Sequence, residues 1–174
     1  MVVYPQTGTE RLLVMDDDEA LRKLMESVLT SLGYEVQTAR NGAEAIVLFE
    51  NAKASGRSFD AVLLDVTVSG GMGGIEASAR LRELDSSLKL IVSSGYSDAP
   101  VMSDFRKYGF DDVIPKPWRV AEVSEVFRRV LVSGSNRNRG DFEATKIASR
   151  EDQHSGVAGS QRGDLQRPIS EDQH

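Results

Sequence analysis

Four consecutive acidic residues, Asp16 to Glu19, directly follow the short apolar run RLLVM at residues 11–15. Carboxylates this close raise each other's pKa unless a cation lies among them. Asp18 and Glu19 suit the N-cap and first turn of a helix, where acidic side chains interact favourably with the helix dipole. Asp16 and Asp17 suit either that role or a metal site, and these residues alone do not distinguish the two.

Three further residues that could do chemistry stand at the ends of other apolar runs. Asp65 ends AVLLD, Ser94 ends LKLIVSS, and Lys116 follows FDDVIP and precedes a proline. The bond before a proline can adopt cis geometry in tight turns, which would direct the lysine back toward neighbouring strand ends. The chain has no cysteine, and both histidines, His154 and His174, lie in a polar C-terminal segment. Chemistry in a folded site therefore rests on carboxylates, hydroxyls and lysine.

Five short apolar runs alternate with helical patterns between residues 11 and 132, which predicts five strands and five helices. AVLLD is apolar throughout, as in a strand covered on both faces, whereas YEVQTA is more polar and suits a sheet edge. We predict that Ile75, Ala79 and Leu84 face inward on the third helix, and that a fourth helix runs from Pro100 to Tyr108. Alternating strands and helices form one parallel sheet with helices on both faces, a doubly wound α/β fold.

Parallel strands present their carboxyl ends at one edge of the sheet, where open α/β folds place their ligands. The residues that this topology gathers are Asp16, Asp17, Asp65, Ser94 and Lys116. Three carboxylates suit Mg²⁺, a hard cation that takes oxygen ligands. Beside Mg²⁺ and a lysine, Asp65 becomes a credible nucleophile for phosphoryl transfer, because that reaction needs mainly charge neutralisation.

The composition narrows the class of protein further. The chain of 174 residues has a net charge of −6, which disfavours binding to nucleic acid or to an acidic membrane surface. The sequence has no apolar run of the roughly 18 residues that span a membrane, and its N-terminus lacks the pattern of a signal peptide. We therefore expect a cytoplasmic protein with one domain at residues 11–132, preceded by an N-terminal extension at 1–10. Residues 133–174 are polar, contain two copies of EDQH and are predicted to be disordered.

The segments VMDDDEALR, AVLLDV, LIVSSGY and IPKPW, in this order along the chain, resemble the motifs of receiver domains of two-component signalling. Such domains occur in response regulators and hybrid sensor histidine kinases. The resemblance implies a flavodoxin-like fold with sheet order 2-1-3-4-5. It also implies that Asp65 accepts a phosphoryl group from the phosphohistidine of a histidine kinase or its phosphotransfer domain, and that the domain then signals to a downstream protein partner.

The same resemblance assigns a role to each candidate residue. The Mg²⁺ ligands would be Asp16, Asp17, Asp65 and the backbone carbonyl of Thr67. Ser94 would move toward the phosphoryl group, and Lys116 would pair with it. The protein would then be a phosphoacceptor with at most weak autophosphatase activity, rather than an enzyme.

Three features depart from the usual receiver pattern. Ser69 stands four residues after Asp65, where the family often has proline, and the following loop is one residue longer than usual. That loop contains four glycines within residues 70–74, and in this it resembles receivers attached to hybrid sensor kinases. Val113 occupies the position where many members carry a switching Tyr or Phe. This puts the aromatic form of the switch in doubt, although not phosphorylation.

Two other functions stay open on the sequence alone. A Mg²⁺-dependent phosphohydrolase would also use an aspartyl nucleophile. Such enzymes usually place a second acid two residues later, where this chain has Thr67, and their nucleophile tends to lie on the first strand. A receiver fold that only binds partners, without phosphorylation, is the third alternative, and the complete set of acids argues against it.

Overall fold

The structure is a computed structural model that describes residues 10–95 and 100–133. Five strands form one parallel sheet in the order β2-β1-β3-β4-β5, which confirms the predicted doubly wound fold and its strand order. The strands are β1 (Arg11–Met15), β2 (Glu35–Ala39), β3 (Ala61–Asp65), β4 (Lys89–Ser94) and β5 (Asp112–Pro115). Apart from Glu10 and Ser133, the predicted N-terminal extension and the predicted disordered tail lie outside the described residues.

Helices connect the strands and cover both faces of the sheet. They are α1 (Glu19–Ser31), α2 (Gly42–Ala54), α3 (Gly74–Leu84), α4 (Pro100–Ser103) and α5 (120–133), with a 3₁₀ turn at Phe105–Tyr108 before β5. Among the residues that the structure describes, no helix is both long and apolar enough to cross a membrane.

Alternate residues of the central strands supply two separate cores, because successive side chains of a strand point to opposite faces. Leu13 of β1 packs in the core with α2 and α3, whereas Leu12 packs in the core with α1 and α5. The apolar runs of β1 and β3 are therefore buried on both faces, as predicted. β2 pairs with β1 alone and is mostly half-buried, so the more polar YEVQTA segment does form an edge strand.

Polar N-cap residues begin the first two helices, and a glycine follows the end of α1. Asp18 is the N-cap of α1, and its Oδ1 accepts a hydrogen bond from the N–H of Ala20 at 2.8 Å. Asn41 caps α2 by accepting from the N–H of Glu44 at 3.0 Å. After α1, Gly33 has a φ of 97°, a left-handed conformation that glycine adopts without steric penalty. The cap at residue 18 leaves the two preceding acids outside the helix.

The predicted inward face of α3 is confirmed for Leu84, which is half-buried and packs against the core, but it is wrong for Ile75 and Ala79. Ile75 is 39% exposed and Ala79 is exposed, whereas Ala77 and Leu81 are buried. The prediction assumed that only apolar residues lie on the buried face, but Ser78 is buried there as well. Its hydroxyl donates to the carbonyl of Ile75 at 2.7 Å. A polar residue satisfied in this way can lie on the buried face of a helix.

The predicted helix from Pro100 to Tyr108 is interrupted. The α-helix ends at Ser103, and Asp104 has non-helical angles, with φ −118° and ψ 34°. A 3₁₀ turn then runs to Tyr108 and ends at Gly109, whose φ is 82°. Asp104 favours this break, because short polar side chains compete with the backbone bonds of a helix interior. The segment therefore presents two short pieces to solvent rather than one helical face.

Candidate functional site

The sheet brings three acids together at the carboxyl ends of two neighbouring buried strands. Asp16 and Asp17 directly follow β1, and Asp65 is the last residue of the neighbouring β3. One carboxylate oxygen from each of the three residues lies within 4.8 Å of the others. Asp16 and Asp65 are buried, at 1% and 5% exposure, whereas Asp17 is exposed. The site is thus open on the side of Asp17.

Lys116 inserts its ammonium group between the two buried acids. Its Nζ donates to Oδ2 of Asp16 at 2.6 Å and to Oδ2 of Asp65 at 3.0 Å. The main chain carries the lysine there from the end of β5, where the Lys116 N–H donates to the Ser94 carbonyl at 3.0 Å. The bond between Lys116 and Pro117 is cis, as the sequence suggested.

Burial and charge shift the pKa values of the site residues in different directions. Burial raises the pKa of Asp65, and the like charge of Asp16 adds to this effect, while Lys116 opposes it. Burial alone would lower the pKa of Lys116, but its hydrogen bonds to Asp16 and Asp65 outweigh that effect and raise it. The pKa of Asp17 is lowered, chiefly by a hydrogen bond from the main-chain N–H of Ser69.

The charges of this cluster do not balance. Asp16, Asp17 and Asp65 carry three negative charges when ionised, against the single positive charge of Lys116. The donors are all carboxylate oxygens, which is the ligand chemistry that Mg²⁺ prefers. Both the donor set and the excess negative charge therefore fit a divalent cation of this kind.

The other two predicted site residues are Thr67, just past the end of β3, and Ser94, at the end of the neighbouring strand β4. Thr67 is two residues beyond β3, and its N–H donates to Oδ1 of Asp65 at 3.4 Å. Ser94 is the buried last residue of β4, one position past Ser93, the register partner of Asp65. The roles of the Thr67 carbonyl and the Ser94 hydroxyl stay predictions.

Two supporting residues were missed in the sequence. Arg22, in the second turn of α1, donates to the carbonyl of Asp16 at 2.7 Å and to that of Asp17 at 3.1 Å. Ser69 holds the carboxylate of Asp17 at 2.9 Å through its main-chain N–H. A basic side chain one helical turn after an acidic pair is a usable sequence signal, whereas a main-chain donor leaves none.

Trp118 lies beside the cluster and packs against the core of α1 and α5. Its Nε1 donates to the hydroxyl of Ser93 at 2.8 Å. The ammonium of Lys116 lies 5.4 Å from the centre of its ring. The indole therefore contacts both a strand end and the lysine of the site.

Gly74 allows α3 to start directly against the acidic edge. A Cβ on Gly74 would lie 2.4 Å from the carbonyl oxygen of Asp65, closer than any side chain tolerates. Glycine is therefore required where the start of α3 meets the end of β3. This contact fixes the position of the glycine-rich loop over the site.

Comparison with known proteins agrees with this geometry. The family model described as the response regulator receiver domain matches residues 12–128. The chain is 31% identical over 122 residues to the chemotaxis protein CheY of Thermotoga maritima, covering 70% of this chain and 97% of that protein. It is 27% identical over 127 residues to sporulation initiation phosphotransferase F of Bacillus subtilis, covering 73% and 98%.

A solved structure gives the same result. The response regulator protein TrrA of Thermotoga maritima, in complex with Mg²⁺ and BeF, is 30% identical and superposes with a TM-score of 0.59, covering 70% of this chain and 99% of that one. The likeness to receivers of hybrid kinases stays a prediction from the loop sequence. Together, the matched segment, the strand order and the clustered acids lead to one conclusion: the chain belongs to the response regulator receiver domain family.

Proposed function

We propose that Asp65 is the phosphoacceptor of a two-component phosphorelay. Receiver domains are generally phosphoacceptors rather than classical enzymes, and they interact with histidine kinases or phosphotransfer proteins. The observation that carries the assignment to Asp65 is its carboxylate, which is buried, lies 3.0 Å from Lys116 and shares a 4.8 Å cluster with Asp16 and Asp17. The donor is the phosphohistidine of a histidine kinase or of its phosphotransfer domain.

In the proposed step, a carboxylate oxygen of Asp65 forms a bond to phosphorus while the bond from phosphorus to the histidine nitrogen breaks. The electron pair of that bond leaves with the imidazole, and the product is an acyl phosphate on Asp65. A carboxylate with a raised pKa is the more basic nucleophile, which supports the choice of Asp65 over the exposed Asp17. Lys116 neutralises part of the charge that the phosphoryl oxygens bring.

The proposed Mg²⁺ ligands are Asp16, Asp17, Asp65 and the backbone carbonyl of Thr67. When bound, this cation would neutralise phosphoryl oxygens, which two anions require before they approach each other. The relative TrrA, whose structure contains Mg²⁺ and BeF, supports this assignment by analogy. Asp16 is fixed for such a role, since its Oδ1 accepts from the Asp18 N–H at 2.9 Å and its Oδ2 from Lys116.

The output step follows from the added charge. A phosphoryl group brings roughly −1.5 to −2 charge and new acceptor oxygens. We expect the hydroxyl of Ser94 and the ammonium of Lys116 to move toward it and to shift a balance between two surface states. Because Val113 has no aromatic ring, the surface of α4, β5 and α5 would change without an aromatic switch. A downstream protein partner would bind the changed surface.

We propose that the chain has at most weak autophosphatase activity, because Thr67 stands where phosphohydrolases usually place a second acid. We also propose that the protein acts in the cytoplasm. Its net charge of −6 repels phosphate-rich surfaces, so we propose no nucleic-acid or membrane contact for this chain.

The test is phosphorylation with acetyl phosphate and Mg²⁺, followed by intact-mass spectrometry. The wild type should gain a single phosphoryl adduct, and Asp65→Asn should gain none. The matched control is Asp60→Asn, since Asp60 is an exposed acid just before the amino end of the same strand. An adduct that persists in Asp65→Asn, or turnover of acetyl phosphate without any adduct, would refute the proposal.

A further inference from the structure

The glycine-rich loop after β3 makes a direct contact with the acidic cluster. The main-chain N–H of Ser69 donates to Oδ2 of Asp17 at 2.9 Å, across 52 positions of the sequence. Asp16 and Asp65 are buried and hydrogen-bonded by Lys116. Asp17 is the exposed member of the three, and an exposed carboxylate without a fixed partner exchanges freely among rotamers.

The loop that carries this N–H is itself held in place. Gly70 has a φ of 71°, so the chain reverses directly after Ser69. At the far end of the loop, the carbonyl of Met72 accepts from the N–H of Gly42 at 2.8 Å. A Cβ on Gly73 would lie 2.6 Å from the carbonyl oxygen of Val66, so the loop also packs closely against the chain that leaves β3.

We propose that the main-chain amide of Ser69 is a positioning group that holds the Asp17 carboxylate in the orientation that binds Mg²⁺. The inference rests on the proposed function of the acidic cluster. A hydrogen bond to the outer side of a metal ligand fixes the ligand before the metal arrives, and its loss commonly weakens metal binding by about tenfold or more.

The donor can be removed with one substitution. Ser69→Pro deletes the main-chain N–H and installs the residue that receiver domains often have at this position, so it tests whether this chain depends on the amide. Ser69→Ala keeps the N–H and removes only the hydroxyl. Because Asp17 is exposed, we expect Ser69→Pro to weaken Mg²⁺ binding by about tenfold, at the lower end of such effects. We expect Ser69→Ala to weaken it by about twofold at most. Both affinities are measured by calorimetric Mg²⁺ titration of the full chain, with thermal unfolding in EDTA as a check on folding.

A second variant is needed because proline at position 69 could change the loop conformation as well as remove the N–H. Gly70→Ala leaves the N–H of Ser69 in the chain but strains the left-handed turn, in a place where the added methyl group meets no other atom within 4 Å. We expect an intermediate loss of Mg²⁺ affinity, about threefold, because the amide is displaced rather than deleted.

A reciprocal measurement needs no metal. In the wild type with EDTA, the Ser69 amide should be protected from hydrogen exchange in two-dimensional NMR spectra, and Asp17→Ala should remove this protection. Equal Mg²⁺ affinities of Ser69→Pro and Ser69→Ala, tighter binding by Ser69→Pro, or an unprotected Ser69 amide would overturn the inference while leaving phosphorylation of Asp65 untouched. A wild type that binds no Mg²⁺ would overturn both proposals together.

Discussion

The acids at the two edges of the sheet differ in how many basic partners they have. At the amino ends of the strands, acids meet basic partners. Glu35 contacts Arg11 at 2.9 Å and Arg57 at 2.7 Å, and Asp111 contacts Arg82 at 2.7 Å. At the carboxyl ends, Asp16 and Asp65 share Lys116, and Asp17 adds a third negative charge.

This difference distinguishes ion pairs that belong to the fold from a charged cluster that is suited to binding a ligand. At the amino edge, the basic side chains outnumber the acids that they contact, so these acids need no added cation. An unbalanced cluster needs a further cation, so its residues are costly unless a ligand supplies that cation. The carboxyl edge is therefore suited to the proposed Mg²⁺ binding and phosphorylation, whereas the amino edge supports the fold.

The largest expected effect comes from removing the only lysine of the acidic cluster. Lys116→Ala should lower the free energy of unfolding by about 3 kcal/mol in EDTA, because the variant leaves two buried carboxylates without their cationic partner. Saturating Mg²⁺ should restore part of this loss, since ligand binding to the folded state adds stability. Urea denaturation with and without Mg²⁺ measures both effects.

The control for that experiment is Lys107→Ala, which removes an exposed lysine paired with the exposed Asp104. Exposed pairs contribute little, so this variant should unfold nearly as the wild type does and respond equally to Mg²⁺. A Lys116→Ala variant that Mg²⁺ fails to stabilise would contradict the expected charge deficit.

Removing a basic residue from the amino edge should have a smaller effect that is independent of metal. Arg82 donates to the Gly109 carbonyl at 2.8 Å as well as to Asp111, so Arg82→Ala should cost about 2 kcal/mol. The loss should be the same in EDTA and in Mg²⁺, and phosphorylation by acetyl phosphate should proceed to the same extent. If the loss of stability of Arg82→Ala depended strongly on Mg²⁺, the proposed difference between the two edges would be wrong.

Neutralising the buried acid at the carboxyl edge should stabilise the metal-free chain. The pKa of Asp65 is raised in the folded state, so the folded chain holds that proton more tightly than the unfolded chain does. The resulting stability is present at low pH and is lost as pH rises through the raised pKa. Asp65→Asn stays neutral, and Lys116 keeps its bond to Asp16 at 2.6 Å.

We therefore expect Asp65→Asn to raise the midpoint of thermal unfolding by about a few degrees at neutral pH in EDTA. The difference should narrow as the pH falls toward 3.8, the ordinary pKa of an aspartate, where the wild-type carboxyl group is protonated as well. Thermal unfolding over a series of pH values measures it. A variant that is less stable than the wild type at neutral pH would show that Asp65 is not strained by burial.

The smallest effect should come from Glu19, the last of the four consecutive acids that follow β1. Glu19 is exposed and pairs with Lys23 at 2.6 Å on the surface of α1. Glu19→Gln should leave both the unfolding curve and the Mg²⁺ affinity close to those of the wild type. A clear loss of Mg²⁺ affinity in a calorimetric titration would extend the metal site beyond Asp16 and Asp17.

The sequence was informative where a residue type and its place along a strand decide the outcome. Asp16, Asp65 and Lys116 converge because parallel strands end at the same edge, and short apolar runs separated by helical patterns are enough to predict that. The N-cap at Asp18 and the edge position of β2 were predictable for the same local reasons.

Other features depend on packing that the sequence pattern does not encode. The buried face of α3 includes Ser78, so apolar spacing alone wrongly placed Ile75 and Ala79 on that face. The break at Asp104 depends on a single residue inside an otherwise helical segment. The contact between Ser69 and Asp17 uses a main-chain donor, which any residue except proline could supply.

The most direct test of Asp65 as a Mg²⁺-dependent phosphoacceptor is site-resolved mass spectrometry after borohydride trapping, which reduces an aspartyl phosphate to homoserine. After treatment with acetyl phosphate, homoserine should occur at position 65 in the presence of Mg²⁺ and should be nearly absent in EDTA. Trapping at any other acid, or equal trapping at position 65 with and without Mg²⁺, would contradict the assignment.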